Sequence, residues 1–288
     1  MKAPARNLLA LAVAAAVLLC ASARAELLYA TNGTSIVQFD SSAPTLITSS
    51  SAFTGLTAGE TIVDFDLRPA NGLLYGIGSS SRIYIINPMT GAATAVGAAG
   101  TFTLNGTAFG VDFNPVPDRI RLVSNTEQNL RLNPDTAALT PDGNLNPAGN
   151  VVSVAYTNNF AGATSTALYS IDSASGTLGL ISVPNNGGPI NTVGSLGLGT
   201  NLDERIGFDI SGLSGTAFAS ITTGGLSRLY TINLATGAAS LVGNIGTGAT
   251  PYLGLTAATA VPEPSSVMLM IGGSAALAFF ARKRRRQS

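Results

Sequence analysis

The 288-residue chain has no histidine, no tryptophan, one cysteine and only 10% charged residues. Without histidine, the commonest general base and the commonest transition-metal ligand are both missing. Lysine occurs only at positions 2 and 283, and the lone Cys20 sits in an apolar N-terminal run. Ser-His, Cys-His and Ser-Lys nucleophile pairs are therefore excluded from the interior of the chain. No glycine-rich loop opens onto a predicted helix, which argues against nucleotide-dependent catalysis. Aromatic residues make up 6% of the chain, so faces for stacking sugar rings are scarce.

The two ends do not resemble the middle. Lys2 and Arg6, the apolar run from Leu8 to Cys20, and Ala23-Arg24-Ala25 form the three parts of a secretory signal over residues 1–25. Cleavage after Ala25 would remove the only cysteine and with it all thiol chemistry. At the other end, VPEPSSVMLMIGGSAALAFFARKRRRQS places Pro262, Glu263 and Pro264 before an apolar run and a basic block of Arg282, Lys283, Arg284, Arg285 and Arg286. As a helix, Val267 to Ala281 would span about 22 Å, against roughly 30 Å of bilayer hydrocarbon. The basic block would resist translocation and stay cytoplasmic, leaving residues 26–260 outside the inner membrane.

Triplet, apolar run and arginine block, in that order, resemble the PEP-CTERM sorting signal of Gram-negative bacteria. The resemblance assigns residues 261–288 to a tail that anchors the chain transiently in the inner membrane and is removed by an exosortase. It also implies export through the Sec translocon, then display at the cell surface or in extracellular polysaccharide.

Residues 26–260 hold seven arginines and fourteen acids, a net charge of −7, which argues against nucleic acid as a partner. Their length fits one large all-β domain. Four stretches repeat an apolar strand, a polar turn and a second strand: LLYATNGTSIVQFD, LLYGIGSSSRIYIINPMTGAATAVG, ALYSIDSASGTLGLISVP and AFASITTGGLSRLYTINLATGAASLVG. RIYIIN and RLYTIN alternate as half-buried strands, and the Thr-Gly pair after them turns the chain back.

A further strand precedes each repeat: IVDFDLRPANG, FGVDFNPVPDR, VVSVAYTNN, RIGFDISG and PYLGLTAA. Their spacing of roughly 40–55 residues is that of a four-stranded propeller blade. The last strand has no meander after it and the first meander has no strand before it, so the chain's ends complete each other. The expected fold is an all-β propeller of about five blades closed by its N- and C-terminal strands, with a signal helix and a transmembrane helix outside it. A six-bladed ring and an open β-solenoid are the alternatives. The repeat pattern, with its central DFNPVPDRIRLVSNTEQNLRLNPDT, also resembles a bacterial domain of unknown function often found on PEP-CTERM proteins.

Carboxylates are the remaining source of chemistry. Asp66, Asp112 and Asp209 occupy equivalent repeat positions, where they could ring a channel for a cation or a sugar, or hold the backbone N–H groups of the next blade. Asp64, two residues before Asp66, shares its strand face, and a pair of carboxylates is the minimum for glycoside hydrolysis. Arg119, Arg121 and Arg131 are expected to share faces and pair with Asp112, Asp118 and Asp135, as an interblade network or as a forked surface for acidic sugars. Asp142-Gly143-Asn144 offers oxygen ligands for Ca²⁺, although no full calcium motif is present. The composite expectation is a non-enzymatic surface or matrix module without a cofactor, partnered by exopolysaccharide or matrix protein. The alternative is a carboxylate-based glycan-processing enzyme of the cell envelope.

Overall fold

A computed structural model describes residues 25–182 and 187–258. Twenty strands form five four-stranded antiparallel sheets. Blade 1 takes β1 (Leu27–Thr31), β2 (Ser35–Asp40) and β3 (Ile47–Ala52) from the start of the domain. Blade 2 runs from β4 (Ile62–Leu67) through β5 (Leu74–Gly78) and β6 (Arg82–Ile86) to β7 (Ala93–Val96). Blade 3 holds β8 (Phe109–Asn114), β9 (Arg119–Ser124), β10 (Asn129–Leu132) and β11 (Leu139–Pro141). Blade 4 begins at β12 (Val151–Tyr156) and continues through β13 (Leu168–Asp172), β14 (Thr177–Ile181) and β15 (Ile190–Ser195). Blade 5 comprises β16 (Gly207–Ile210), β17 (Ala217–Thr223), β18 (Leu226–Ile232) and β19 (Ala239–Asn244).

The final strand, β20 (Gly254–Ala257), returns to blade 1 and pairs antiparallel with β1, Leu28 opposite Ala257 and Thr31 opposite Gly254. The five inner strands β20, β4, β8, β12 and β16 contact one another in a closed cycle. This is the expected five-bladed ring, and it leaves no inner edge open at the seam. No α-helix occurs among the described residues, and no helix among them is long and apolar enough to cross a membrane. The signal helix, the transmembrane helix, Pro262, Glu263, Pro264 and the basic block Arg282, Lys283, Arg284, Arg285 and Arg286 lie outside the described residues.

The repeated turns explain why the blades recur. In Asn87-Pro-Met-Thr-Gly91, the Asn87 side chain accepts the N–H groups of Met89 and Thr90, and Gly91 adopts φ +72°. Asn133 and Asn233 do the same in the equivalent turns. An asparagine side chain mimicking a backbone turn, followed by a left-handed residue, is how the third strand of blades 2, 3 and 5 hands over to the fourth. Packing between blades is apolar. Tyr75, Ile77 and Ile83 of blade 2 bury against Phe113, Ile120 and Leu122 of blade 3, with Tyr75 and Phe113 edge to face at 5.3 Å.

Glycines set how tightly the inner strands approach. A Cβ on Gly110 would stand 2.6 Å from the Ser153 Cα, and one on Gly207 would stand 2.5 Å from the Gly254 carbonyl carbon. These positions, with Gly254, form one level of the inner ring. Only a residue without a side chain lets adjacent inner strands meet there.

Candidate functional site

Inner strands are edge strands, and their channel-side N–H groups need acceptors. The repeated aspartates supply them. Asp66 accepts the N–H of Phe113 at 2.8 Å, Asp112 that of Tyr156 at 3.2 Å, and Asp209 that of Ala257 at 2.6 Å. Each reaches from one inner strand to the same place on the next. Asp64 repeats the contact one level away, accepting from Val111 at 2.7 Å and from Phe65 at 2.8 Å. At the ring level, Ala155 of β12 and Thr256 of β20 fill the two positions that carry no acid.

Asp66, Asp112 and Asp209 are each 1% exposed. Each offers one carboxylate oxygen within 4.8 Å of those of the other two. Burial pushes all three carboxyls up; neighbouring aspartate charge adds to it at Asp66 and Asp112, and the Glu26 charge adds to it at Asp209. Asp209 is raised to about 6, and Asp64 is likewise held well above the usual carboxylate range by burial. Thr256 Oγ1 lies 2.7 Å from Asp66 Oδ1 and 3.2 Å from Asp209 Oδ2, yet its single hydrogen can serve only one of them. Asp112 Oδ2 has no hydrogen-bond partner, and Asp209 Oδ1 has none of good geometry, although the Ile210 N–H is near enough to the Asp209 carboxylate to favour its charged form.

The arginine-rich segment divides into two networks. Arg68, at the end of β4, donates to Asp118 and Asp135 of blade 3 and to the Tyr75 hydroxyl. Its hydrogen bonds hold the Asp135 carboxyl below the ordinary carboxylate range. Arg121 is fully buried and donates to Asp142, Asn129 and the Tyr156 hydroxyl of blade 4. Arg131 joins it on Asp142 at 2.7 and 2.8 Å.

The arginines expected for Asp118 and Asp135 are thus replaced by Arg68 of the preceding blade. Arg119 turns instead to the carbonyls of Pro117 and Asp118. Arg121 stands opposite Asp112 in the ladder but takes Asp142 as its carboxylate. Asp142, the expected calcium-loop ligand, is enclosed by two guanidinium groups, and loop proximity in sequence could not reveal that. The network therefore joins blades rather than presenting a forked surface.

Sequence reasoning missed three groups. Arg68 was legible as the residue two beyond Asp66 on the same strand face. Thr256 occupies the ring position of the last strand. Glu204 stands at the channel mouth, where Asn150 donates to it at 2.7 Å. That mouth opens into a cavity of about 430 Å³ lined by Ile62, Thr107, Phe109, Asp203, Glu204 and Arg205. Arg205 donates to Asp203, which lowers the Asp203 carboxyl from its ordinary range.

A closed five-bladed β-propeller, its inner strands stitched by aspartates and its sequence ending in a sorting tail, defines the class. The sequence matches Domain of unknown function (DUF4394) over residues 35–256 and the PEP-CTERM protein-sorting motif over residues 260–286. The chain belongs to the DUF4394 family and carries a PEP-CTERM tail. No curated protein matches it.

Among solved structures it is similar to a chain of the nidogen/laminin complex at 12% identity and a TM-score of 0.50, covering 81% of this chain and 98% of that one. It is also similar to a protein of unknown function from Bacteroides thetaiotaomicron at 14% identity and a TM-score of 0.49, covering 83% and 68%. At these identities the likeness concerns the fold alone. The PEP-CTERM motif implies export and processing by exosortase.

Proposed function

We propose that the protein is an exported, non-catalytic module whose propeller is displayed at the cell surface or in extracellular polysaccharide after its tail is processed. The observation that carries this reading is the joint occurrence of the sorting motif and a closed ring whose buried carboxylates each hold the backbone of the next blade. Hydrolysis of a glycosidic bond asks for two carboxyl groups flanking the sugar, roughly 5–10 Å apart and open to it. Asp64 and Asp66 instead have both oxygens in hydrogen bonds, and Asp112 is enclosed with them.

The channel-mouth cavity is the place where such a module would hold a ligand. It combines the apolar Ile62 and Phe109 with the Asp203–Arg205 pair and Glu204. Those groups suit the hydroxyls of a polysaccharide chain, with Arg205 as a donor and the acids as acceptors.

The test is the intact mass and cellular location of the chain in its exporting host, followed by pull-down on that host's exopolysaccharide. An extracellular chain lacking residues 1–25 and the segment after Pro264 supports export and display. Retention of an intact tail in the inner membrane overturns it. Loss of polysaccharide binding in Arg205→Ala, with fold intact, places the ligand at the channel mouth.

A further inference from the structure

We infer that Asp66, Asp112 and Asp209 form a divalent-cation site of calcium type at the centre of the propeller. Two independent features carry the inference. The first is the convergence of three buried carboxylates from blades 2, 3 and 5 to within 4.8 Å of one another. The second is that Asp112 Oδ2, on a side chain 1% exposed, is left without a hydrogen bond, and Asp209 Oδ1, equally buried, has none of good geometry.

A buried carboxylate oxygen without a partner is costly, and the stitching role already described does not need it. One oxygen of Asp112 and one of Asp209 satisfy the next blade; the other remains. The nearest arginine in the ladder, Arg121, is turned to Asp142, Asn129 and Tyr156, so it does not neutralise the set. Asp64 adds a fourth buried acid one level away. A cation at the middle of the ring would meet these oxygens.

The dimensions choose among cations. Oxygens no more than 4.8 Å apart have a common centre at most about 2.8 Å from each. Ca²⁺ takes oxygen ligands at about 2.3–2.6 Å in flexible geometry, so a contraction of at most a few tenths of an ångström seats it. Mg²⁺ requires about 2.0–2.1 Å and near-ideal octahedral order, a stricter demand on a ring of three carboxylates than the flexible geometry of Ca²⁺. Thr256 Oγ1, 2.7 Å from Asp66 Oδ1, supplies a neutral oxygen beside the set. With the cation in place, that hydroxyl can donate to either carboxylate while the other faces the metal. The site would then tie blades 2, 3 and 5 to the closing strand.

The test is calcium titration by calorimetry on the full chain, purified in detergent and stripped with chelator, alongside thermal unfolding with and without the metal. We expect about one equivalent of Ca²⁺, a rise in melting temperature, and weaker binding of Mg²⁺. Asp112→Asn and Asp209→Asn should each weaken Ca²⁺ binding by at least ~10-fold, because each removes a charged ligand. Asp64→Asn, whose parent carboxylate is fully used by Phe65 and Val111, should leave binding within about threefold.

Hydrogen exchange on the unmutated chain gives a second reading should the variants fail to fold. Calcium should slow exchange at Phe113, Tyr156 and Ala257, whose N–H groups bond to the three acids, more than in the outer strands. Absence of calcium heat and of a melting shift overturns the site. So does unchanged affinity in Asp112→Asn and Asp209→Asn, or protection that is uniform across the blades.

Discussion

Arg121 and Arg131 stand directly opposite each other across β9 and β10, and Asp142 holds both. Two like charges facing each other on a ladder repel, and burial of Arg121 would worsen that. The shared carboxylate turns the pair into a clamp. Because Arg121 also reaches the Tyr156 hydroxyl, the clamp extends from blade 3 into blade 4.

Asp142→Ala should therefore be severe. It strands a guanidinium that is 1% exposed, at an expected cost of about 3–5 kcal/mol. Asp135→Ala removes a partner of Arg68 whose side chain is 63% exposed, and Arg68 keeps Asp118; the expected cost is below about 1 kcal/mol. Urea unfolding followed by tyrosine fluorescence measures both. Equal losses would refute the difference drawn between the two networks.

Stability should fall as pH rises from mild acid toward neutrality when divalent metal is absent. The folded-state carboxyl of Asp209 is raised to about 6, so between its unfolded value and that pH the folded chain binds more protons than the unfolded one. Its contribution is complete below about pH 4 and lost as pH passes about 6, on the order of 3 kcal/mol. Asp64, Asp66 and Asp112 act in the same direction. Asp135 and Asp203, lowered by their arginines, oppose it only in stronger acid, where their contributions disappear as pH falls. Melting curves in chelator between pH 4 and 8 check the sign, and a rise across that range would contradict it.

Gly207→Ala should destabilise by about 1–3 kcal/mol through overpacking alone. Its Cβ would lie 2.5 Å from both the Gly254 carbonyl carbon and the Leu255 nitrogen, so blade 5 and the closing strand must part. Gly110→Ala meets the Ser153 backbone in the same manner and should behave alike. Denaturant midpoints of the two variants give the comparison, and wild-type values would mean that the inner strands yield more readily than these contacts allow.

Deleting residues 254–257 removes β20 and leaves the β1 edge unpaired. Leu28, Ala30 and Phe218 lose the cover of Leu255 and Ala257 at the same time. The expected product is an associating species by light scattering, because an open apolar edge pairs with other chains. A monodisperse monomer with native far-UV dichroism would show that the seam is dispensable.

The blades were legible because alternation, the Asx turn before each Thr-Gly pair and the equivalent aspartates are local patterns that each copy states again. Ring closure was legible too, since the unmatched first meander and last strand complete one another. The ionic partners were not. Arg121 had several acids within thirty residues, and which one it meets depends on how the β10–β11 turn folds back over the ladder. Arg68 finds its acids fifty and sixty-seven positions away, a distance set by blade stacking rather than by any local pattern. The orphaned oxygens of Asp112 and Asp209 emerge only when three inner strands are placed around one axis.

The clasp between β1 and β20 also fixes an order of events in time. The chain is made from its N-terminus, so β1 emerges early and waits for a partner encoded more than two hundred residues later. That partner, Gly254–Ala257, immediately precedes the sorting motif at residues 260–286. Synthesis of the strand that locks the ring and of the sorting motif are therefore separated by only a few residues. A chain cut short before Gly254 thus lacks its closing strand and its address together.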